Sequence, residues 1–284
     1  MKYIGAHVSI AGGIFNAPLN AKKINARAFG MFTKNQLRWS GKDIKEVDVK
    51  KFNKNLKKAN ICPEHVLVHD TYLINLANPD KEKRNKSLKA FISGTKRVNK
   101  LGLKYFNFHP GSTVGKISEK EGIELVIKAI NKTLEETDNV VLVIETTAGQ
   151  GNDLGYSFEH IGKMGEGANR KDRIGVCIDT AHIYGAGYDI RTHQKFNETM
   201  KQFDNEIGIN YLKGVHLNDC KVELNSRKDR HANLGEGNFG WSVFKMMMQD
   251  DRLNDMPIIM ETKNSSKWKR DIEKLYSFVS DYQS

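Results

Sequence analysis

Eight short apolar runs of β type recur along the 284 residues, and each gives way to a polar side chain at its end. They span residues 3–8, 28–33, 65–69, 105–109, 140–145, 174–179, 212–216 and 257–261. Several are nearly continuous in Val, Ile and Leu, as parallel strands covered on both faces should be. Helical spacing fills the intervals, as in Leu88, Phe91, Ile92 and Thr95, in Ile123, Val126, Ile127, Ile130 and Leu134, and in Trp268, Ile272, Leu275 and Val279. Strand alternating with helix eight times predicts an α/β chain whose parallel sheet closes into a (β/α)8, or TIM, barrel. The length suits such a barrel, which takes roughly 250 residues. No Pro/Gly/Ser-rich linker or shift in composition divides the chain, so one catalytic domain over 1–284 is expected. An open doubly wound sheet is the rival, and the count of eight disfavours it.

The runs end on His7, Thr33, His69, His109, Glu145, Asp179, His216 and Glu261. In a closed barrel all strand C-termini meet at one rim, which carries the active site. From the third run onward every terminal residue is a metal-ligand type. Asp179-Thr180-Ala181-His182 adds an imidazole one helical turn beyond a carboxylate, and Asp229-Arg230-His231 places two ligand types on one side of an extended segment. The pool is His69, His109, His182, His216 and His231 with Glu145, Asp179, Asp229 and Glu261. A single histidine after a strand is ordinarily a hydrogen-bonded rim residue; the specificity lies in the set. Nine groups exceed the needs of one tetrahedral ion and suffice for two or three if carboxylates bridge. Five imidazoles favour zinc, or another late transition metal, over magnesium. His7 is left outside the pool, and His65, His160 and His193 are read as ordinary.

Charge and composition narrow the partners. Lys and Arg total 45 against 34 Asp and Glu, a formal charge of +11, which favours polyanions such as nucleic acid. No run approaches the ~18 apolar residues that span a bilayer, and residues 1–7 lack a signal-type apolar core. A cytoplasmic protein without membrane association is therefore expected. Cys62, Cys177 and Cys220 form no Cys-x-x-Cys; Cys177 and Cys220 are read as small apolar packing residues. Gly111-Ser112-Thr113-Val114-Gly115-Lys116 has too few residues between its glycines for a phosphate loop and reads as a rim loop. Gly185-Ala186-Gly187 and Gly235-Glu236-Gly237 read as turns, and Met246-Met247-Met248 as helix core. No Gly-x-Ser-x-Gly occurs, which disfavours a serine hydrolase.

Longer stretches resemble a known family. Gly175-Val176-Cys177-Ile178-Asp179-Thr180-Ala181-His182, His216-Leu217-Asn218-Asp219, and Ser226-Arg227-Lys228-Asp229-Arg230-His231 running on to Leu234-Gly235-Glu236-Gly237-Asn238 resemble endonuclease IV signatures. That family comprises zinc-dependent apurinic/apyrimidinic endonucleases. Gly5-Ala6-His7-Val8-Ser9, Phe32-Thr33-Lys34-Asn35-Gln36 and Asn107-Phe108-His109-Pro110-Gly111 agree, so the likeness runs end to end. The resemblance implies three zinc ions per chain. It puts His69, His109 and Glu145 on one, Glu145, Asp179, His216 and Glu261 on the second, and His182, Asp229 and His231 on the third. It implies hydrolysis of the phosphodiester 5′ to an abasic site, leaving a 3′-hydroxyl and a 5′-deoxyribose phosphate, and trimming of blocked 3′ ends. Glu145 and Glu261 are then the catalytic carboxylates, positioning the metals and the attacking hydroxide.

The same resemblance implies action on double-stranded DNA, bent with its abasic nucleotide flipped out; DNA wrapping over the rim needs only a monomer, which is the expected state. Lys34, Asn35, Gln36, Leu37 and Arg38 on one rim loop, Tyr72 on the next, and Arg227 and Arg230 on a third are the expected DNA contacts, with Lys228, Lys263 and Lys267 as further phosphate contacts. Tyr72 matches an inserted position. Leu37 departs from the pattern, which commonly has an arginine there; Arg38 is placed to substitute. The alternative is a metal-dependent barrel sugar isomerase or epimerase, which also gathers His, Asp and Glu at the rim but needs no basic face.

Overall fold

The computed structural model describes residues 1–283. Eight parallel strands close on themselves: β1 (Tyr3–His7), β2 (Ala28–Phe32), β3 (Val66–His69), β4 (Tyr105–Phe108), β5 (Val141–Glu145), β6 (Ile174–Asp179), β7 (Leu212–His216) and β10 (Pro257–Met260). The pairing of β1 with both β2 and β10 completes the ring and excludes the open sheet. Strand limits follow the sequence to within a residue, with His65 in a 3-10 turn, Pro63–His65, rather than on β3. A two-residue-per-strand hairpin, β8 (Asp219–Cys220) with β9 (His231–Ala232), stands on the rim after β7 and has no counterpart in the sequence reading.

The helices are α1 (Ala17–Lys23), α2 (Glu46–Ala59), α3 (Lys81–Lys100), α4 (Glu119–Glu136), α5 (Phe158–Glu166), α6 (Thr180–Ala186), α7 (His193–Glu206), α8 (Gly240–Met248) and α9 (Trp268–Gln283). Amphipathic spacing makes them bury one face: Ile123, Val126, Ile130 and Leu134 of α4 turn inward. Local signals fix their starts. Ser118 and Glu121 form a reciprocal capping box on α4, and the Asp80 carboxylate accepts from Glu82 and Lys83 at the start of α3. Met247 and Met248 are buried on α8 as expected. Gly185-Ala186-Gly187 is the end of α6 rather than a free turn; Gly187 caps it at φ +114°, a conformation that favours glycine. None of the described helices is long and apolar enough to cross a membrane.

Two cores result. The larger lies between strands and helices. The smaller fills the barrel itself with Ala28, Leu67, Val141, Val143, Cys177 and Ile259, all buried. It is a packed plug, and Cys177 takes its place in it as a small apolar residue.

Candidate metal centre

Side chains alternate along a strand, so the residue two beyond each plug position faces inward one layer higher. Leu67 leads to His69, Val143 to Glu145, Cys177 to Asp179, and Ile259 to Glu261 just past β10, while Gly214, paired with Cys177 in the register, leads to His216. Strand register sets them level: Glu145 pairs with Cys177, and Asp179 with His216. His182 arrives from α6, whose N-cap is Asp179; that carboxylate accepts from the Ala181 and His182 amides. Asp229 and His231 come in on the hairpin.

Glu145 is the hub. It is fully buried, and its Oε2 lies 3.1 Å from His69 Nε2 and 3.3 Å from His109 Nε2. Its Oε1 lies 2.9 Å from His216 Nδ1 and 3.4 Å from His182 Nδ1. Each oxygen thus faces two imidazoles. Glu261 reaches His216 Nδ1 at 3.5 Å. Asp229 lies 3.2 Å from His182 Nε2 and 3.1 Å from His231 Nε2, and Asp179 is 3.6 Å from His231 Nε2. All nine pooled residues therefore converge.

Four sets bring ligand atoms within 4.8 Å of one another: His69/Glu145/His216, His109/Glu145/His182, Asp179/His182/His231 and Glu145/Asp179/His216/Glu261. The last is the second set implied by the resemblance. The others regroup the same residues, and Asp229 joins through His182 and His231 alone.

The surroundings orient the rings. His69 Nδ1 is 2.6 Å from the Asp70 carbonyl, and His182 Nδ1 is 2.8 Å from the Thr146 carbonyl. A carbonyl only accepts, so these nitrogens carry the proton and each Nε2 is left for the centre. Asn107 donates to Glu145 Oε2. Asn218 donates to Asp179 Oδ2 at 2.7 Å while its carbonyl oxygen accepts from the Glu261 amide at 3.0 Å. Asp219, buried, accepts from the Cys220, Gly237 and Phe239 amides and holds down the loop that carries Asp229 and His231. Sequence reading assigned these small polar residues no role; Asn107, Asn218 and Asp219 carried a signal only by standing beside His109 or His216 in a quoted stretch.

Electrostatics bind the cluster together. Burial pushes the Glu145 carboxyl up, but His216, His109 and His182 outweigh it and hold it well below the carboxylate range. Burial likewise lowers His182 and His216. Asp179, Asp229 and Glu145 around the first, and Cys177, Glu145 and Glu261 around the second, hold both well above the imidazole range. Burial pushes the Cys177 thiol itself up to about 11. Three carboxylates this deep, Glu145, Asp179 and Glu261, require cationic company. The donor set, five imidazoles and four carboxylates, fits zinc-type cations. His7, outside the pool, is lowered to about 4 by burial.

The expected DNA contacts fall on the rim with one difference. Leu37 is 70% exposed at the tip of a turn in which Asn35 Oδ1 accepts from the Leu37 amide, and Asn35, Gln36 and Arg38 are exposed beside it. Tyr72 is 56% exposed, and its ring packs near Phe32 and His69. Lys34 corrects its reading as a DNA contact: it is 6% exposed and its ammonium donates to the Trp39 carbonyl, shaping the loop from within. Arg227, at φ +54°, lies 3.8 Å over the Tyr156 ring, and Arg230 donates to Gln150. Both lie at the surface, as do Lys228 and Lys263, while Lys267 pairs with Glu236.

A closed parallel barrel with imidazoles and carboxylates gathered at one rim defines the class, and a profile described as "Xylose isomerase-like TIM barrel" matches residues 19–280. The "Probable endonuclease 4" of Campylobacter curvus (strain 525.92) is 49% identical over 275 residues, 97% of each chain. Its counterpart in Campylobacter concisus (strain 13826) is 48% identical over the same span and coverage. The crystal structure of endonuclease IV from Thermus thermophilus superposes with a TM-score of 0.85 at 27% identity, covering 98% of this chain and 99% of that one. The chain belongs to the endonuclease IV family. A D-tagatose 3-epimerase-like protein also superposes, at TM-score 0.75 and 17% identity over the whole of both chains, a likeness of fold alone.

Proposed function

We propose that this protein is a DNA-repair endonuclease that hydrolyses the phosphodiester on the 5′ side of an abasic site in duplex DNA, leaving a 3′-hydroxyl and a 5′-deoxyribose phosphate, and that it trims blocked 3′ ends. One catalytic domain over 1–284, acting as a cytoplasmic monomer, suffices, because the rim loops all come from one barrel. The observation that carries the reading is Glu145, a fully buried carboxylate with two imidazoles at each oxygen. The +11 charge and the kinship with endonucleases favour DNA over a sugar substrate.

His69, His109 and Glu145 would hold one zinc, Glu145, Asp179, His216 and Glu261 a second, and His182, Asp229 and His231 a third. When bound, such cations neutralise phosphate charge and make water acidic enough to attack at neutral pH. The protein's own residues do the rest. Glu145 and Glu261 fix the spacing of the centre and the approach of the attacking oxygen to phosphorus. Asn107 and Asn218 keep the carboxylates from rotating. Leu37 and Tyr72 enter the duplex beside the flipped nucleotide, while Asn35, Gln36, Arg38, Arg227 and Arg230 meet the backbone.

The test is a duplex with one synthetic abasic residue. The expected product is a nick on its 5′ side, extendable by a polymerase, lost on chelation and restored by zinc, with about three zinc ions per chain by elemental analysis. An intact duplex, or a protein that takes up one ion or none, overturns the reading.

A further inference from the structure

The loop bearing Asn35–Arg38 is mounted on α3. Arg97 donates to the Thr33 carbonyl at 2.5 Å, the Thr33 hydroxyl at 3.2 Å and the Lys42 carbonyl at 2.8 Å, pinning both ends of the loop to that helix. Between residues 39–44 and α3 runs a groove of about 1050 Å³, lined in part by Trp39, Ile44, Leu88 and Ile92. Its helical wall presents Lys86, Lys89, Ser93, Lys96 and Lys100, spacings that fall on one face. At 1.5 Å per residue this face is roughly 21 Å long, and it begins at the rim because α3 follows β3.

Charge along the groove is answered at one end only. Away from the rim, Lys96 and Lys132 reach Glu136 at 3.6 and 3.4 Å, and Lys100 reaches Glu46 at 3.8 Å. At the rim end, exposed Lys86 lies over the Trp39 ring at 4.3 Å, and neither it nor Lys89 has a carboxylate partner among the described residues. Trp39 follows directly on Arg38. The cations without an acid therefore adjoin the loop read as a DNA contact.

We propose that the rim end of this groove takes the phosphate backbone of the duplex flanking the nicked site, with Lys86 and Lys89 as its contacts and Trp39 as their platform. The inference rests on the DNA reading above and extends the footprint from the rim onto the flank of the barrel. Duplex DNA carries a charge every ~1.7 Å of axis, so two lysines a turn apart meet phosphates without sequence preference.

The test compares metal-loaded wild type, Lys86→Ala/Lys89→Ala and Lys96→Ala/Lys100→Ala on abasic-analogue duplexes of about 12 and about 30 base pairs. Wild type should bind the long duplex more tightly. Lys86→Ala/Lys89→Ala should lose that gain, keep wild-type affinity for the short duplex, and show a salt slope on the long one shallower by about 1.8, as two lost phosphates require. Lys96→Ala/Lys100→Ala removes the same charge and should behave as wild type. Unchanged long-duplex binding in Lys86→Ala/Lys89→Ala overturns the proposal and leaves the groove to an acidic protein segment; equal losses in both double variants overturn it in favour of net charge. A wild type that binds neither duplex overturns the DNA reading itself.

Discussion

Two successive layers of the same barrel strands do opposite work. In the lower layer, Leu67, Val143 and Ile259 interlock as hydrocarbon, and the Cys177 thiol reaches up to His216 as its one polar contact. Two residues on, His69, Glu145, Asp179 and Glu261 stand in the same inward positions, where each isolated charge would be costly to bury. The lower layer gains from leaving water. The upper one tolerates it only through mutual neutralisation, and through cations where they bind. A strand of four to six residues thus carries, on it or just past its end, both a stabilising and a working position, and the pleat keeps them apart by one step. Stability and chemistry should therefore respond separately to substitution.

The sharpest way to break that separation is Glu145→Gln. Cleavage of an abasic duplex should fall by several kcal/mol of transition-state stabilisation, on the order of 10³-fold, with the circular dichroism spectrum and DNA binding retained; residual turnover near wild type would remove Glu145 from the hub. One layer down, Leu67→Ala should destabilise the fold by about 2–5 kcal/mol in denaturant titration, while kcat of the folded fraction stays near wild type. Loss of activity at unchanged stability would merge the two layers. Asn218→Ala, which frees Asp179 and the Glu261 amide, should cost roughly 10–100-fold in activity or metal affinity.

The upper layer should also betray itself through pH. In chelated protein His182 and His216 lie above their unfolded value of 6.5, so the stability they contribute is complete below pH 6.5 and is lost as the pH rises through their folded values. Glu145, held low, contributes above its unfolded value of 4.5 and loses that only as the pH falls through its folded one. Chelated protein should accordingly melt lower at about pH 9 than at about pH 6.5. Zinc-loaded protein should show the reverse trend, because ligation expels those protons. Parallel melting curves would contradict this. The smallest effect is at the periphery: Ser118→Ala removes the α4 cap and should cost about 1 kcal/mol with no change in cleavage.

Much of the upper layer was legible because its residues break a rule. A histidine or carboxylate closing an apolar run is conspicuous, and the period of two assigns it a face. Asn107, Thr146 and Asn218 break no rule; small polar residues occur everywhere, and only the closed ring brings them to Glu145, His182 and Asp179. The hairpin of Asp219–Cys220 with His231–Ala232 is too short to leave a periodic trace. Lys34 misled for the opposite reason: lysine is almost always exposed, and nothing local shows that a carbonyl five residues on, at Trp39, captures its ammonium.

The plug beneath the centre has a kinetic corollary. With Leu67, Val143, Cys177 and Ile259 filling the barrel beneath it among the described residues, the centre opens towards the rim, and ions, water and spent strand would share that side. A docked duplex would stopper it, so ion exchange and strand turnover become alternating traffic: chelators should strip the free protein and spare the one at work.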